Sequence, residues 1–236
     1  MVDRPSNEVT GVPTPRVAIL GAGAAGLCMA MQLQDAGIHS FTIYEKSDGV
    51  GGTWRDNTYP GAACDVPSHL YSFSFAPKTD WTRKFAEQPE ILEYFESLVD
   101  SHDLGPHLRL GVEVVAASWD GEDLAWTLEL ATGERVRADV IVSGLGQLNR
   151  PYTPDIPGLE KFVGTVFHSA RWNHDHDLRA ERVAVIGIGA SAIQFAPRVA
   201  RLARRTVLFQ RSVNYVAPKP DRAYRAWERW LLERVP

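Results

Sequence analysis

The chain has 236 residues, of which 44% are hydrophobic and 23% charged, and its formal net charge at pH 7 is −4. This composition predicts a soluble globular protein of one large or two small domains and argues against a basic nucleic-acid-binding surface. Cys28 and Cys64 lack CxxC partners, so neither a disulfide scaffold nor a zinc knuckle is expected. The polar N-terminus and the glycine-interrupted apolar run 17–31 do not suit a signal peptide or a membrane span. We therefore expect a cytoplasmic protein without a membrane partner.

The first elements in the chain predict a βαβ unit. Residues 16–21 (RVAILG) form a short apolar run that is typical of a buried parallel strand. A helical pattern follows over 24–36 and ends at Gly37, and residues 40–45 (SFTIYE) predict a second strand. This order is typical of a Rossmann-like, doubly wound α/β fold.

The middle of the chain alternates between irregular and regular segments. Residues 46–77 are rich in glycine, aromatic and polar residues, and an irregular segment of this length is usually functional. A helix is predicted over 89–102, with proline in its first turn. A β-meander is predicted from strands at 108–117, 124–131 and 135–143, and the last of these suits a central strand of a sheet.

The second half repeats the opening pattern after a proline-rich linker at 149–157. Residues 182–187 predict a strand, 190–203 a helix and 205–210 another strand. The same βαβ unit therefore occurs twice, which predicts two domains, 1–148 and 149–236.

An amphipathic helix is predicted over 221–235, and we expect its Trp227 and Trp230 to lie on one face against a core. A complete doubly wound dinucleotide domain has more strands than the second copy contains. We therefore expect the second domain to be incomplete in this chain.

The first glycine motif, Gly21-x-Gly23-x-x-Gly26, lies between a predicted strand and a predicted helix. Its glycines allow a tight turn, a close approach of a pyrophosphate and close packing of helix on strand. An acid, Glu45, ends the next strand, where a carboxylate accepts hydrogen bonds from ribose hydroxyls. The motif predicts a site for FAD or NAD, and the alternative is a glycine turn that serves packing alone.

The second motif, Gly187-x-Gly189-x-x-Ala192, has the same context, but Arg211 stands at the offset where the first copy has Glu45. An arginine there can pair with a ribose 2′-phosphate, which a carboxylate would repel. The second site therefore favours NADP, although a solvated surface arginine is the alternative interpretation. Two dinucleotide sites of different preference predict electron transfer between a flavin and NADPH.

Several further segments closely resemble the flavin-dependent Baeyer–Villiger monooxygenases. GGTW at 51–54 and YPGAACD at 59–65 resemble that family's flavin-binding segment. Residues 162–172 (FVGTVFHSARW) match its fingerprint, except that the residue after the fingerprint tryptophan is Asn173. DVIVSGLG at 139–146, followed by NRP at 149–151, resembles the strand and crossover that leave its FAD domain.

This resemblance implies a role for each matching residue. The residues implied for FAD are Gly21, Gly23, Ala25, Gly26, Glu45, Gly52, Thr53, Trp54, Asp65 and Tyr71. The residues implied for NADPH are Gly187, Gly189, Ser191, Ala192, Gln194, Arg211 and Ser212. His168 and Trp172 are implied to be structural, coupling domain movement to the cofactors. Asp65 is implied to be catalytic, as the carboxylate that orients an arginine beside the flavin, although it could instead only cap a turn.

The resemblance also implies the reaction. In this family NADPH reduces the flavin, O2 adds at its C4a position, and the peroxyflavin attacks a ketone to give an ester or lactone. The expected partners are thus a small ketone and O2. Two alternatives remain open: a flavin-containing monooxygenase that oxidises nitrogen or sulfur, and a dinucleotide-binding fragment without catalysis. No metal site is expected, because the His-Asp-His-Asp run at 174–177 has no further ligands at helical spacing.

Overall fold

The computed structural model describes residues 14–234, which form nine β-strands and five α-helices. The strands are β1 Val17–Leu20, β2 Phe41–Glu45, β3 Leu108–Leu110, β4 Val114–Asp120, β5 Ala125–Leu130, β6 Arg135–Ala138, β7 Val140–Ser143, β8 Arg182–Ile186 and β9 Arg205–Phe209. The helices are α1 Ala24–Asp35, α2 Thr53–Asp56, α3 Gln88–Ser101, α4 Ala190–Leu202 and α5 Ala226–Leu232. None of these helices has the length and apolar character needed to cross a lipid bilayer.

A four-stranded parallel sheet in the order β3-β2-β1-β7 forms the centre of the first half. The side chains of β1 alternate between its two faces, as in any strand. Val17 and Ile19 join a core with residues of α1 and α3, which we call the first core. Ala18 and Leu20 pack on the other face against the antiparallel strands. Both faces are thus covered, which explains the continuous apolar run and confirms the predicted α/β fold.

The strands β4, β5 and β6 form an antiparallel meander, as expected, but two predicted strands divide differently. The segment 108–117 is two strands, of which β3 joins the parallel sheet and β4 the meander. The segment 135–143 divides in the same way at Asp139, whose carboxylate accepts hydrogen bonds from the backbone and side chain of Arg16. This contact turns the chain from β6 into β7. Within residues 14–234, β7 pairs only with β1 and is an edge strand, so the prediction of a central position was wrong.

The second half contains a smaller parallel pair, β8 and β9, covered on one side by α4. Val185 of β8 packs with Ala192, Phe195 and Val199 of α4. The repeated βαβ unit is thus present in the structure. The division into domains at residue 148 stays a prediction.

The last helix differs from its prediction. It covers only Ala226–Leu232, and Trp227 and Trp230 are 59% and 55% exposed, so their expected core position was wrong. The preceding residues are not helical because they bind the segment 82–85: Lys84 N donates to Arg222 O at 2.9 Å. Tyr224 is then the aromatic side chain that enters the first core, where it is 9% exposed.

Candidate functional site

The first glycine turn brings α1 unusually close to β1. Gly21 has a φ of +98°, and a methyl group on it would lie 2.7 Å from the carbonyl oxygen of Gly144. A methyl group on Gly26 would lie 1.9 Å from the carbonyl oxygen of Gly21. Real side chains do not approach a backbone oxygen so closely. The turn therefore requires glycine at both positions, for conformation and for packing.

The N-terminus of α1 opens at this turn. The helix begins at Ala24 after Gly23, with no side-chain cap and no acidic residue in its first turn. Backbone N–H groups at such a terminus need acceptors, and the helix dipole favours an anion there. The geometry suits a phosphate group.

Glu45 ends β2 beside the same turn. Its carboxylate is buried and accepts hydrogen bonds from Ala22 N at 2.8 Å and from Ser47 N at 2.9 Å. Each carboxylate oxygen has a second lone pair. The two backbone contacts therefore fix the carboxylate at the cleft wall and still leave it able to accept a bond from a hydroxyl.

These elements line a cleft with a volume of about 650 Å³, within the usual range for a ligand pocket. The predicted residues in its wall are Gly21, Gly23, Ala25, Glu45, Gly52, Thr53, Trp54 and Tyr71. Gly26 lies behind the wall, at the contact between α1 and β1. The arrangement fits an elongated ligand with a phosphate end at α1 and an aromatic end at Trp54.

Two stretches of the cleft wall were missed as binding residues, namely 112–114 and 144–150. The second one carried a usable signal, because Gly144 and Gly146 directly follow an apolar strand. A methyl group on Gly144 would lie 3.0 Å from Leu20 O and 3.1 Å from Gly26 N. This glycine therefore permits the close approach of β7 and α1 at the turn.

Trp54 and Tyr71 form the aromatic end of the cleft. The indole Nε1 of Trp54 donates to the hydroxyl of Tyr71 at 2.9 Å, and the rings meet edge to face with centroids 5.6 Å apart. Burial raises the pKa of Tyr71 above its ordinary value. The phenol is therefore protonated at neutral pH, and its own O–H can donate to a ligand in the cleft.

Asp65 lies near this end but does not line the cleft. Its side chain is exposed and follows Cys64, whose backbone carbonyl accepts a hydrogen bond from Lys219 Nζ at 3.2 Å. Among residues 14–234, no arginine or lysine forms an ion pair with Asp65. The described residues thus do not place an arginine on the carboxylate that the resemblance marks as catalytic.

The second glycine turn has the same local geometry as the first. Gly187 has a φ of +94°, and α4 begins at Ala190 without a side-chain cap. Ala192 is buried against β8, Ser191 is half-buried, and Arg211 and Ser212 are exposed beyond β9. This turn is open to solvent, and Arg211 makes no ion pair with any of residues 14–234.

Gln194, which the resemblance implies as a nucleotide ligand, binds the backbone of the segment 59–65. Its Oε1 accepts from Ala63 N at 2.9 Å, and its Nε2 donates to Ala63 O at 3.2 Å. The amide thus binds both backbone groups of one residue in the segment that leads to Asp65.

The two fingerprint residues, His168 and Trp172, contact other residues of the second half of the chain. His168 Nδ1 accepts from Ala170 N at 3.1 Å and caps a single 3₁₀ turn. Trp172 packs on Phe195 of α4, with ring centroids 5.3 Å apart. Nearby, His174 Nε2 lies 2.8 Å from the hydroxyl of Thr58. The described part of the chain contains no group of three or more His, Cys, Asp or Glu side chains that could hold a metal ion.

Comparison with known proteins gives one family match. The family described as "pyridine nucleotide-disulphide oxidoreductase" matches residues 18–234. A Baeyer–Villiger monooxygenase from Streptomyces coelicolor is 52% identical over 221 residues, which are 94% of this chain and 42% of that protein.

Solved structures of monooxygenases also superpose on this chain. An oxidised steroid monooxygenase bound to NADP superposes with a TM-score of 0.85 at 39% identity, over 93% of this chain and 43% of that one. The OTEMO complex with FAD and NADP superposes with a TM-score of 0.87 at 32% identity, over 94% of this chain and 43% of that one. The chain therefore spans less than half the length of the relatives that it matches.

Proposed function

Since this chain belongs to the pyridine nucleotide-disulphide oxidoreductase family, we propose that it supplies the FAD site and part of the NADPH site of a Baeyer–Villiger monooxygenase. The whole protein would insert one oxygen atom of O2 beside the carbonyl of a small ketone. The observation that carries this proposal is the cleft that runs from the uncapped N-terminus of α1 to the aromatic pair Trp54 and Tyr71. Its shape and chemistry fit a dinucleotide with an aromatic ring system.

The residues of the chain fit FAD in three places. The N–H groups that follow Gly23 would bind the pyrophosphate. Because Gly23 has no side chain, the pyrophosphate could approach the backbone closely. Glu45 would accept a bond from a ribose hydroxyl. Thr53, Trp54 and Tyr71 would surround the flavin and exclude water from it, which strengthens every electrostatic contact there.

The fit to NADPH rests on the second turn. The uncapped start of α4 would bind the pyrophosphate, with Gly187, Gly189 and Ser191 at the contact. Arg211 and Ser212 would hold the 2′-phosphate, because the guanidinium provides several donors in a planar fork and makes no ion pair within the described residues.

The bound flavin, once reduced by NADPH, supplies the oxygen-activating chemistry. The protein would orient the flavin by Trp54 and Tyr71 and keep the Tyr71 proton in place, since the pKa of this phenol is raised. Asp65 would orient a cation near the reacting oxygen. No arginine or lysine of residues 14–234 forms an ion pair with Asp65, so another group would have to supply that cation.

The geometry of Asp65 favours a second candidate function. Its carboxylate is exposed, and no arginine or lysine of residues 14–234 forms an ion pair with it, so the described residues do not supply the cation that the reaction would need. The 236-residue chain would then be a dinucleotide-binding module that holds FAD but does not complete turnover.

One experiment separates these candidates. The purified chain is titrated with FAD, and NADPH oxidation and ester formation from a panel of ketones are then measured. We expect flavin binding and at most NADPH oxidation that is uncoupled from ester formation. Efficient ester formation by this chain would exclude the binding-module alternative and show that Asp65 needs no further cation. A chain that takes up no FAD would refute both candidates.

Oxidation of an amine or a sulfide in place of a ketone would identify the nitrogen- or sulfur-oxidising alternative. This comparison uses the whole monooxygenase that contains the chain. An amine, a sulfide and a ketone of similar size serve as competing substrates.

A further inference from the structure

The segment around Ala63 is held from both sides by groups distant in sequence. On one side, Gln194 of α4 binds both Ala63 N and Ala63 O. On the other side, Gln88 N donates to Ala62 O and Cys64 N donates to Ala86 O, both at 2.9 Å. This short stretch therefore has the hydrogen bonds of a middle strand, although one of its two neighbours is a single amide side chain.

Apolar packing supports the same contact. Tyr59 and Ala62 are buried in one cluster with Phe195 and Ala196 of α4, and the rings of Tyr59 and Phe195 lie 5.9 Å apart. The amide of Gln194 thus lies at the edge of an apolar interface, where an unpaired polar backbone group would be costly.

The held segment is connected to the aromatic end of the cleft. Gln88 is buried, and its side-chain Nε2 donates to the carbonyl oxygen of Trp54. Trp54 in turn donates to Tyr71. A continuous set of contacts therefore runs from α4 through Ala63 and Gln88 to the two rings that line the cleft, and Asp65 lies two residues beyond Ala63.

We propose that Gln194 is a positioning residue for the flavin end of the cleft, acting through the backbone of Ala63 rather than by contact with the nicotinamide nucleotide. The amide suits this role because it offers one acceptor and one donor side by side. The proposal rests on the proposed function, since it assumes that FAD occupies the cleft.

The test uses the 236-residue chain with FAD and two variants, Q194M and Q194E. Methionine keeps the length of the side chain but removes both hydrogen bonds. Glutamate keeps the acceptor for Ala63 N and loses the donor to Ala63 O. We expect Q194M and Q194E each to weaken FAD binding about tenfold, because methionine removes both hydrogen bonds and glutamate replaces the donor to Ala63 O with a repulsive acceptor. At saturating FAD, we also expect the flavin fluorescence of Q194M to rise, because Trp54 and Tyr71 are less well placed to quench it.

The control is R201A, on the same helix. Arg201 lies in the last turn of α4, is exposed, and makes no ion pair or side-chain hydrogen bond within residues 14–234. We expect R201A to match the unaltered chain in FAD affinity and fluorescence.

Two results would overturn the proposal. The first is unchanged FAD affinity and fluorescence in both Gln194 variants. The second is weaker NADP⁺ binding with unchanged FAD binding, which would identify Gln194 as a direct nucleotide ligand. If Q194M does not fold, Q194E decides by the same two measurements. Failure of the unaltered chain to bind FAD would refute the proposed function instead.

Discussion

Replacing Gly26 with alanine would insert a methyl group 1.9 Å from Gly21 O, 3.0 Å from Gly21 C and 3.4 Å from Ile19 Cγ2. Because two of these three atoms belong to the backbone, no side-chain rotation can relieve the contact. Helix α1 would have to move away from β1 by about 1 Å or more, opening the first core. Overpacking of a core costs about 1–3 kcal/mol and sometimes more, and a backbone clash belongs at the upper end.

For a chain of this size, about 3 kcal/mol lowers the Tm by roughly 6–12 °C. Thermal unfolding followed by circular dichroism measures this change. The matched control is Gly23→Ala, whose methyl group would lie 3.7 Å from Gly52 Cα, an ordinary contact, at a φ of −82° that alanine adopts freely. We expect G23A to keep its Tm but to bind FAD weakly, because its methyl group occupies the path of the pyrophosphate. A G26A variant with an unchanged Tm would refute the packing argument.

Two further predictions concern charged side chains. Arg211→Ala is expected to raise the Kd of NADP⁺ about tenfold to a hundredfold and to leave the Kd of NAD⁺ unchanged, since only NADP⁺ carries the 2′-phosphate. The two Kd values are measured in parallel titrations. Equal effects on both would argue against Arg211 as the ligand of the 2′-phosphate. Asp139→Asn tests acid stability, because hydrogen bonds and charge from Arg16 lower the pKa of Asp139 from 3.8 to about 2. A lowered pKa stabilises the fold at pH values above the ordinary one, and that contribution declines as the pH falls below about 4 towards the lowered pKa of about 2, where half of the carboxylate is still ionised. In thermal unfolding we therefore expect a larger Tm difference between D139N and the unaltered chain at pH 6 than at pH 2, whereas an equal difference at both pH values would contradict the role of ionisation.

Local patterns in the sequence predict the repeated unit well. Both βαβ units, the glycine at the end of α1 and the start of α3 follow from short-range periodicity and from glycine or proline at defined positions. The two glycine turns could also be predicted, because a tight strand-to-helix turn restricts the residue types within a few positions. The reason for glycine at residue 26 is likewise local, since the obstructing oxygen lies only five residues earlier.

Contacts between distant residues decided the rest. Asp139 divides β6 from β7 through Arg16, which lies 123 residues away, and no local pattern contains that partner. Tyr224 enters the first core in place of Trp227 and Trp230 because residues 221–224 bind the segment near Lys84.

The sequence by itself thus determined that the chain has two dinucleotide-type turns, the second with an arginine in place of a glutamate. Only the tertiary structure decided that the amide of Gln194 faces Ala63 and that residues 144–150 complete the cleft. The physical reason is that secondary structure and turns depend on neighbours along the chain. The direction of a polar side chain depends instead on which backbone groups packing brings within hydrogen-bond distance.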